Sequence, residues 1–183
     1  MAQGAITRRG LLPLGAKLLG AGLVLSGCGF QPMFAARSPG QAGPAVEGLA
    51  ETNVLPLPER SGMLLRQALQ ARFDRGGGVA QRYDLQVAFG LGADAIGIQS
   101  DSAVSRIRLR GTAAWTLLAQ SPQRSTLASG NARINDSYDI IDAQLFAADM
   151  EQEMVFRRIT DALADQITLQ LAAYFNHKAA TGA

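Results

Sequence analysis

"RYDLQVAFGL", residues 82–91, is the stretch of the sequence that decides the fold. Apolar residues alternate in it with polar or small ones, without interruption. The apolar set is Tyr83, Leu85, Val87, Phe89 and Leu91, and the other set is Arg82, Asp84, Gln86 and Ala88. Successive side chains of a strand point to opposite faces of its sheet. The period of two therefore predicts a strand with one face in the core and the other in solvent.

The neighbouring segments predict three more strands. After a predicted loop at residues 90–102, a second strand pattern covers residues 104–118, with five apolar residues on one face; they are Ile107, Leu109, Ala113, Trp115 and Leu117. "QSPQR", residues 120–124, predicts a hairpin turn, and a more polar fourth strand follows at about 124–138. Upstream, residues 46–57 predict an edge strand that ends at its prolines.

Two segments have the period of a helix. In the first, Leu65, Leu69 and Phe73 share a face before three glycines end the helix. The second covers residues 144–175, where its apolar stripe is Val155, Ile159, Leu163, Ile167 and Leu171. The order β-α-β-β-β-α predicts an α+β fold, in which two helices pack on one face of a four-stranded, mostly antiparallel sheet.

The start of the chain has the pattern of a secretory signal peptide. Basic residues come first, a short apolar run follows, and small residues precede Cys28, so we expect residues 1–27 to be removed. "LSGC", residues 25–28, resembles the bacterial lipobox. The resemblance implies that Cys28, the sole cysteine, carries an S-diacylglyceryl group and an N-acyl chain such as palmitate. More than one acyl chain makes a stable membrane anchor.

The rest of the chain divides into three parts. Residues 28–45 are rich in Gly and Pro and predict a linker after the anchor. Residues 46–176 are expected to form the folded domain, and residues 177–183 a disordered tail. Gly29 after the cysteine, by resemblance to bacterial lipoproteins, implies sorting to the outer membrane. The paired arginines near residue 8 leave the export route open between general secretion and twin-arginine export.

Composition excludes several classes of function. The leader holds three of the 17 basic residues and no acid, so 14 basic residues remain against 15 acidic ones. A nucleic-acid partner is therefore not expected. One cysteine and one histidine cannot make a Cys/His zinc site. His177 lies in the predicted tail, and no catalytic group of residues is recognisable, so we predict a protein that is not an enzyme and has no cofactor besides its lipid.

A basic ladder is the most suggestive charge pattern. Arg106, Arg108 and Arg110 share the solvent face of the third strand, at a spacing of ~6.8 Å between alternate side chains. Such a ladder suits the binding of phosphates or carboxylates, although it is also typical of a solvated sheet face. Arg124 and Arg133 on the fourth strand are candidates to extend it.

Three segments together resemble the LptE family of lipopolysaccharide-assembly lipoproteins. They are "CGFQP" at 28–32, "LPLPERSGMLLRQAL" at 55–69 and "YDIIDAQLFAADMEQEMVFRRITDALADQITLQLAAYF" at 138–175. The resemblance implies two helices against a four-stranded sheet, a position as a plug within the LptD outer-membrane barrel, a role in assembling that barrel, and lipopolysaccharide binding. A polar outward face suits the polar interior of a barrel.

Two points stay open beside this resemblance. Some family members have a basic residue just before the final helix that is linked to lipopolysaccharide, but Ala148 or Asp149 occupies that place here. That role therefore does not carry over to this chain. The alternative function is an auxiliary lipoprotein of an intermembrane phospholipid-transport complex, and the protein that co-purifies with the chain distinguishes the two.

Overall fold

The alternating stretches form the centre of a four-stranded sheet in the computed structural model. It describes residues 32–73, 78–98, 104–120, 123–139 and 145–182. The elements in chain order are α1 (Pro44–Ala50), β1 (Thr52–Val54), α2 (Glu59–Phe73), β2 (Tyr83–Ile98), β3 (Val104–Ala119), β4 (Thr126–Asp139) and α3 (Leu145–Thr181). The predicted signal peptide and the lipid-attachment residue Cys28 lie outside the described residues.

The sheet has the strand order β1-β2-β3-β4. β2 pairs with β3 and β3 with β4 in antiparallel fashion. β1 pairs with β2 in parallel, so the sheet is mixed, and the prediction of a mostly antiparallel sheet needs this correction. The reason is the connection: α2 carries the chain back before β2 begins, and a crossover of this kind joins parallel strands.

The inner face of the sheet is covered by helices, as the alternation predicts. Leu109, Ala113, Trp115 and Leu117 of β3 are buried, together with the stripe of α3 that begins at Val155. α3 packs so closely on β3 that a Cβ on Gly111 would collide with the Ile159 side chain. The predicted α+β class, with its helices on one face, is thus confirmed.

A third helix, α1, replaces much of the predicted first strand. Residues 46–57 were expected to form an edge strand, but they contribute to a seven-residue helix and to the three-residue strand β1. Pro44 is at the first helical position, where its missing N–H costs nothing. Ala45 and Leu49 are buried, and Gly48 lies so close to the Phe175 ring that a Cβ would collide with it. Burial against α3 thus decides for the helix.

Two predicted ends are also wrong. β2 continues to Ile98 through much of the predicted loop, because its residues up to that point pair with β3. α3 continues through the predicted tail to Thr181. There Lys178 Nζ donates to the Tyr83 hydroxyl at 3.4 Å and lies 5.3 Å from the centre of its ring. At the other terminus, Asn176 donates to the Met33 carbonyl at 2.8 Å, so ordered chain begins before residue 46.

None of the described helices combines the length and the apolar character needed to cross a membrane.

Candidate functional site

Four arginines lie together on the outer face of the sheet, the face opposite the helices. Arg106, Arg108 and Arg110 are exposed on this face of β3. Arg133 of β4 pairs with Thr112, so it points to the same side of the sheet and lies beside the row. We call these four residues the outer arginine patch.

Two carboxylates neutralise only part of the outer arginine patch. Arg106 Nε lies 2.9 Å from Asp139 Oδ1, and Arg110 lies 3.0 Å from Asp94 Oδ1. No carboxylate among the described residues forms an ion pair with Arg108 or with the side chain of Arg133. Both pairs are exposed, and exposed pairs contribute little to stability. An anionic ligand can therefore compete with these carboxylates for guanidinium groups that are already in place.

Arg124, in contrast, lies far from the patch at the other end of the sheet. It comes before β4 begins, and its side chain lies 2.7 Å from Asp84 Oδ2. Asp84 is 5% exposed. Its other oxygen accepts hydrogen bonds from Gln120 at 2.8 Å and from Asn53 at 3.1 Å. We call Asp84 and these three donors the Asp84 cluster, and it excludes Arg124 from the predicted anion site.

The Asp84 cluster holds its carboxylate in the charged form. Burial alone raises the pKa of Asp84, but the hydrogen bonds from Arg124, Gln120 and Asn53, with the charge of Arg124, outweigh it and leave the pKa below its ordinary value. The three donors join β1, β2 and the segments on either side of the β3–β4 turn. The cluster therefore holds neighbouring strands together.

A second ion pair fixes the end of β4 beside the patch. Arg158 of α3 lies 2.8 Å from Asp136, which also accepts a hydrogen bond from the Ser137 amide at 2.8 Å. Burial raises the pKa of Asp136, but Arg158 and the Ser137 amide together lower it below its ordinary value. Because β4 carries Arg133 and Asp139, this tie to α3 also positions one side of the outer arginine patch.

The helix layer contains an open cleft of about 730 Å³. Its apolar walls come from Phe34, from α1, from the C-terminal end of α2 and from the middle of α3; they include Val46, Leu49, Phe73 and Leu169. The arginine at its rim, Arg72, lies 2.6 Å from Asp165 and 3.6 Å from Asp161. The hydrogen bond to Asp165 raises the pKa of Arg72. The charge of Arg72 is thus balanced by two carboxylates at the rim of the cleft.

Sequence periodicity found the outer arginine patch but not the Asp84 cluster. Alternation correctly placed Asp84 on the outer face, yet most outer-face positions are exposed, and no local signal marks this one as buried. Its neighbours Asn53, Gln120 and Arg124 are far from it in sequence. Among the described residues, no group of three potential metal ligands converges.

Comparison with known proteins agrees with this architecture. A crystal structure of a candidate lipoprotein from Caulobacter crescentus CB15 is 26% identical, with a TM-score of 0.59, and the match covers 74% of this chain and 98% of that one. The solution structure of lipoprotein B from Nitrosomonas europaea shares the fold at 20% identity and a TM-score of 0.53, over 67% of this chain and 81% of that one. No curated protein matches the sequence.

The family itself follows from the sequence match. The model of the LptE lipopolysaccharide-assembly family matches residues 50–171, from the end of α1 to the last third of α3. This range is more than half of the chain and includes all four strands and α2. The match contains the segment at 55–69 and most of the segment at 138–175, whereas residues 28–32 lie outside it. The predicted family is thereby confirmed: the chain belongs to the LptE family of lipopolysaccharide-assembly proteins.

Proposed function

We propose that this protein is the lipid-anchored partner of an LptD-type outer-membrane barrel and that the two together assemble lipopolysaccharide into the outer leaflet. Membership of the LptE family supports the role in lipopolysaccharide assembly. The signal-peptide pattern and the lipobox-like residues before Cys28 support export and lipid attachment. In this proposal the folded domain fills the barrel and helps it to assemble.

The proposed ligand site is the outer arginine patch. The observation that carries it is the local charge balance: four arginines on one solvent-facing surface have only two carboxylates as ion-pair partners among the described residues. Lipopolysaccharide carries phosphates on its lipid A and inner core, and guanidinium groups bind phosphates by bidentate, charge-assisted hydrogen bonds. Alternate arginines of β3 at ~6.8 Å can contact neighbouring phosphate groups.

The same surface suits the proposed position inside a barrel. The interior of an outer-membrane barrel is polar, and the outer face of this sheet presents mainly arginines and short polar side chains; Leu118 is its one large apolar residue on the described part of β3. The apolar side chains of the strands are used on the inner face, against the helices. In this proposal the protein acts by binding lipopolysaccharide and by filling the barrel, and it catalyses no reaction.

A pull-down from outer membranes in mild detergent tests this function. The full-length wild-type chain is expected to recover an LptD-type barrel, identified by mass spectrometry, and to incorporate labelled palmitate. A Cys28→Ala variant is the control, and it is expected to lose both the label and its membrane location. Recovery of an inner-membrane phospholipid transporter instead of a barrel would contradict the proposal, and palmitate labelling of Cys28→Ala would contradict the attachment site.

A further inference from the structure

One edge of the sheet is open over most of its length. β2 runs from Tyr83 to Ile98, but β1 pairs only with its first three residues, Tyr83 to Leu85. Beyond Leu85, no other strand among the described residues pairs with this edge of β2. Long open edges are templates for an additional strand, and proteins usually cover or disrupt them.

The backbone of β2 presents its hydrogen-bonding groups toward this opening. The Tyr83 amide donates to the Glu51 carbonyl at 3.2 Å, and the Leu85 carbonyl accepts from the Leu55 amide at 3.0 Å, so both residues face β1. Backbone groups of a strand alternate in direction. The residues that continue this alternation along the open edge are Val87, Phe89, Leu91 and Ala93.

Side chains of α3 cover the middle of the opposite edge of the sheet, at Asn131 and Arg133 of β4. The Arg133 amide donates to Gln166 Oε1 at 3.1 Å, and Gln170 Nε2 donates to the Asn131 carbonyl at 2.9 Å. Both contacts occupy backbone groups of β4. The open edge of β2 has no such cover among the described residues, and from residue 86 to 98 it contains neither lysine nor proline. Among the described residues, α3 thus protects the middle of the β4 edge, whereas the β2 edge beyond Leu85 has no comparable cover.

From this contrast we infer that the edge of β2 from Val87 to Ala93 binds an extended segment of the barrel partner as an added strand. The inference rests on the proposed function, which supplies that partner. Hydrogen bonds along the edge would give affinity, and side chains at alternate positions would give specificity.

The side chains beside the edge define the chemistry of the segment. On the inner side, Phe89 and Leu91 are half-buried and can be covered further by apolar residues. On the outer side, Gly90 and Gly92 leave room for larger side chains, and Arg110 is the cross-strand neighbour of Gly92. The segment is therefore expected to alternate apolar residues with acidic or polar ones.

A second copy of this chain fits the edge less well. Pairing two such edges would join about seven residues of each copy, whereas a stable interface has roughly 20–30 residues on each side. It would also place the arginine patches of both copies on one face of a continuous sheet, where like charges repel. A partner with acidic residues in its added strand has the complementary charge.

Two substitutions of one residue test the added strand. Leu91→Pro removes the N–H that points out of the edge while it leaves the hydrogen bonds to β3, and Leu91→Ala removes the side chain alone. In full-length protein purified from outer membranes, Leu91→Pro is expected to reduce recovery of the barrel up to about tenfold, and Leu91→Ala less than about twofold, since tenfold corresponds to the loss of one strong net hydrogen bond. Circular dichroism and thermal melting report whether each variant folds.

A photo-cross-linker makes the test independent of folding defects. Benzoylphenylalanine in place of Phe89 is expected to cross-link the barrel at an extended segment. The control position is the exposed Met154 on α3, where any cross-link is expected not to depend on the edge of β2. Leu91→Pro should abolish the cross-link from position 89 and leave any cross-link from position 154 unchanged. If the barrel co-purifies but Phe89 gives no cross-link to it, the added strand is wrong and the proposed function stands. A cross-linked homodimer overturns the inference in favour of a second copy, and absence of any barrel with wild-type protein overturns both.

Discussion

The two ends of the outer sheet face use arginine in opposite ways. At one end, the guanidinium of Arg124 is held by Asp84, a carboxylate that is 5% exposed and has two further donors. At the other end, the outer arginine patch has more cations than carboxylates, and the side chains of its acids Asp94 and Asp139 are 42% and 59% exposed. A buried acid needs its partner permanently, whereas an exposed acid exchanges its partner easily.

This difference separates structural arginines from arginines available to a ligand. Residue type and strand assignment treat Arg124 and Arg108 alike, and both are exposed side chains. What differs is the burial of the carboxylate beside them. Mutations at the two ends should therefore give opposite results: loss of binding without loss of stability at the patch, and loss of stability without loss of binding at the Asp84 cluster.

The largest effect is expected for charge reversal in the patch. Arg106→Glu/Arg108→Glu removes two charge-assisted contacts, each worth about 1.5 kcal/mol, so the affinity for lipopolysaccharide should fall roughly 100-fold. The unfolding midpoint in urea should change little. Arg60→Glu/Arg157→Glu is the matched control, because both residues lie on the helix layer beside Glu153 and the change in charge is the same. Equal losses in the two double variants would show that only net charge matters.

A smaller effect, on the free energy of unfolding, is expected at the Asp84 cluster. Asp84→Ala leaves three donors without their acceptor and should lower the free energy of unfolding by about 2 kcal/mol. Asp94→Ala, which removes an exposed acid of the patch, should change it by less than about 0.5 kcal/mol. Urea unfolding followed by circular dichroism measures both. If the two variants lose the same stability, the distinction between the two ends is wrong.

The smallest effect is expected in the pH dependence of the stability. The pKa of Asp84 is lowered in the folded state, so its contribution to stability is present above the pKa of the unfolded chain and is lost as pH falls through the folded pKa. Wild type should therefore exceed Asp84→Asn in stability at pH 7, and the difference should shrink below about pH 4, the ordinary range of a carboxyl group. Comparing the two proteins cancels the similar contribution of Asp136. A difference that stays constant down to pH 2 would exclude this linkage.

The periodic parts of the fold were predictable from the sequence. The alternation in β2 and β3 identified which residues face the helices, since a strand has one simple repeat and burial enforces it. It also placed Arg106, Arg108 and Arg110 together, because strand period alone decides their side. Arg133 joined them through the register of one adjacent hairpin.

The remaining features depend on contacts distant in sequence. α1 is short, and burial of Leu49 against α3 overrides the strand-like alternation of its residues. β2 passes through a run of glycine and alanine with weak strand propensity because β3 pairs with it. Arg124 was misplaced since the acid that binds it is 40 residues away. A single sequence contains no local signal for such contacts.

The lengths of α3 and β3 set the distance between the Met33 end of the domain and the arginines. Its last turns lie at the end of the sheet where Asn176 contacts Met33 and Lys178 contacts Tyr83, while Arg108 lies near the opposite end of β3. From Arg108 to Ala119 the strand spans about 35 Å at about 3.3 Å per residue. In the proposed lipid-anchored protein, a tether attached before Met33 would therefore hold one end of a rigid spacer whose far end presents the arginines. Adding two residues to each of β3 and β4 would move the arginines roughly 7 Å farther from the tether. The length of the strands therefore sets the distance of the arginines from the membrane anchor in the proposed arrangement.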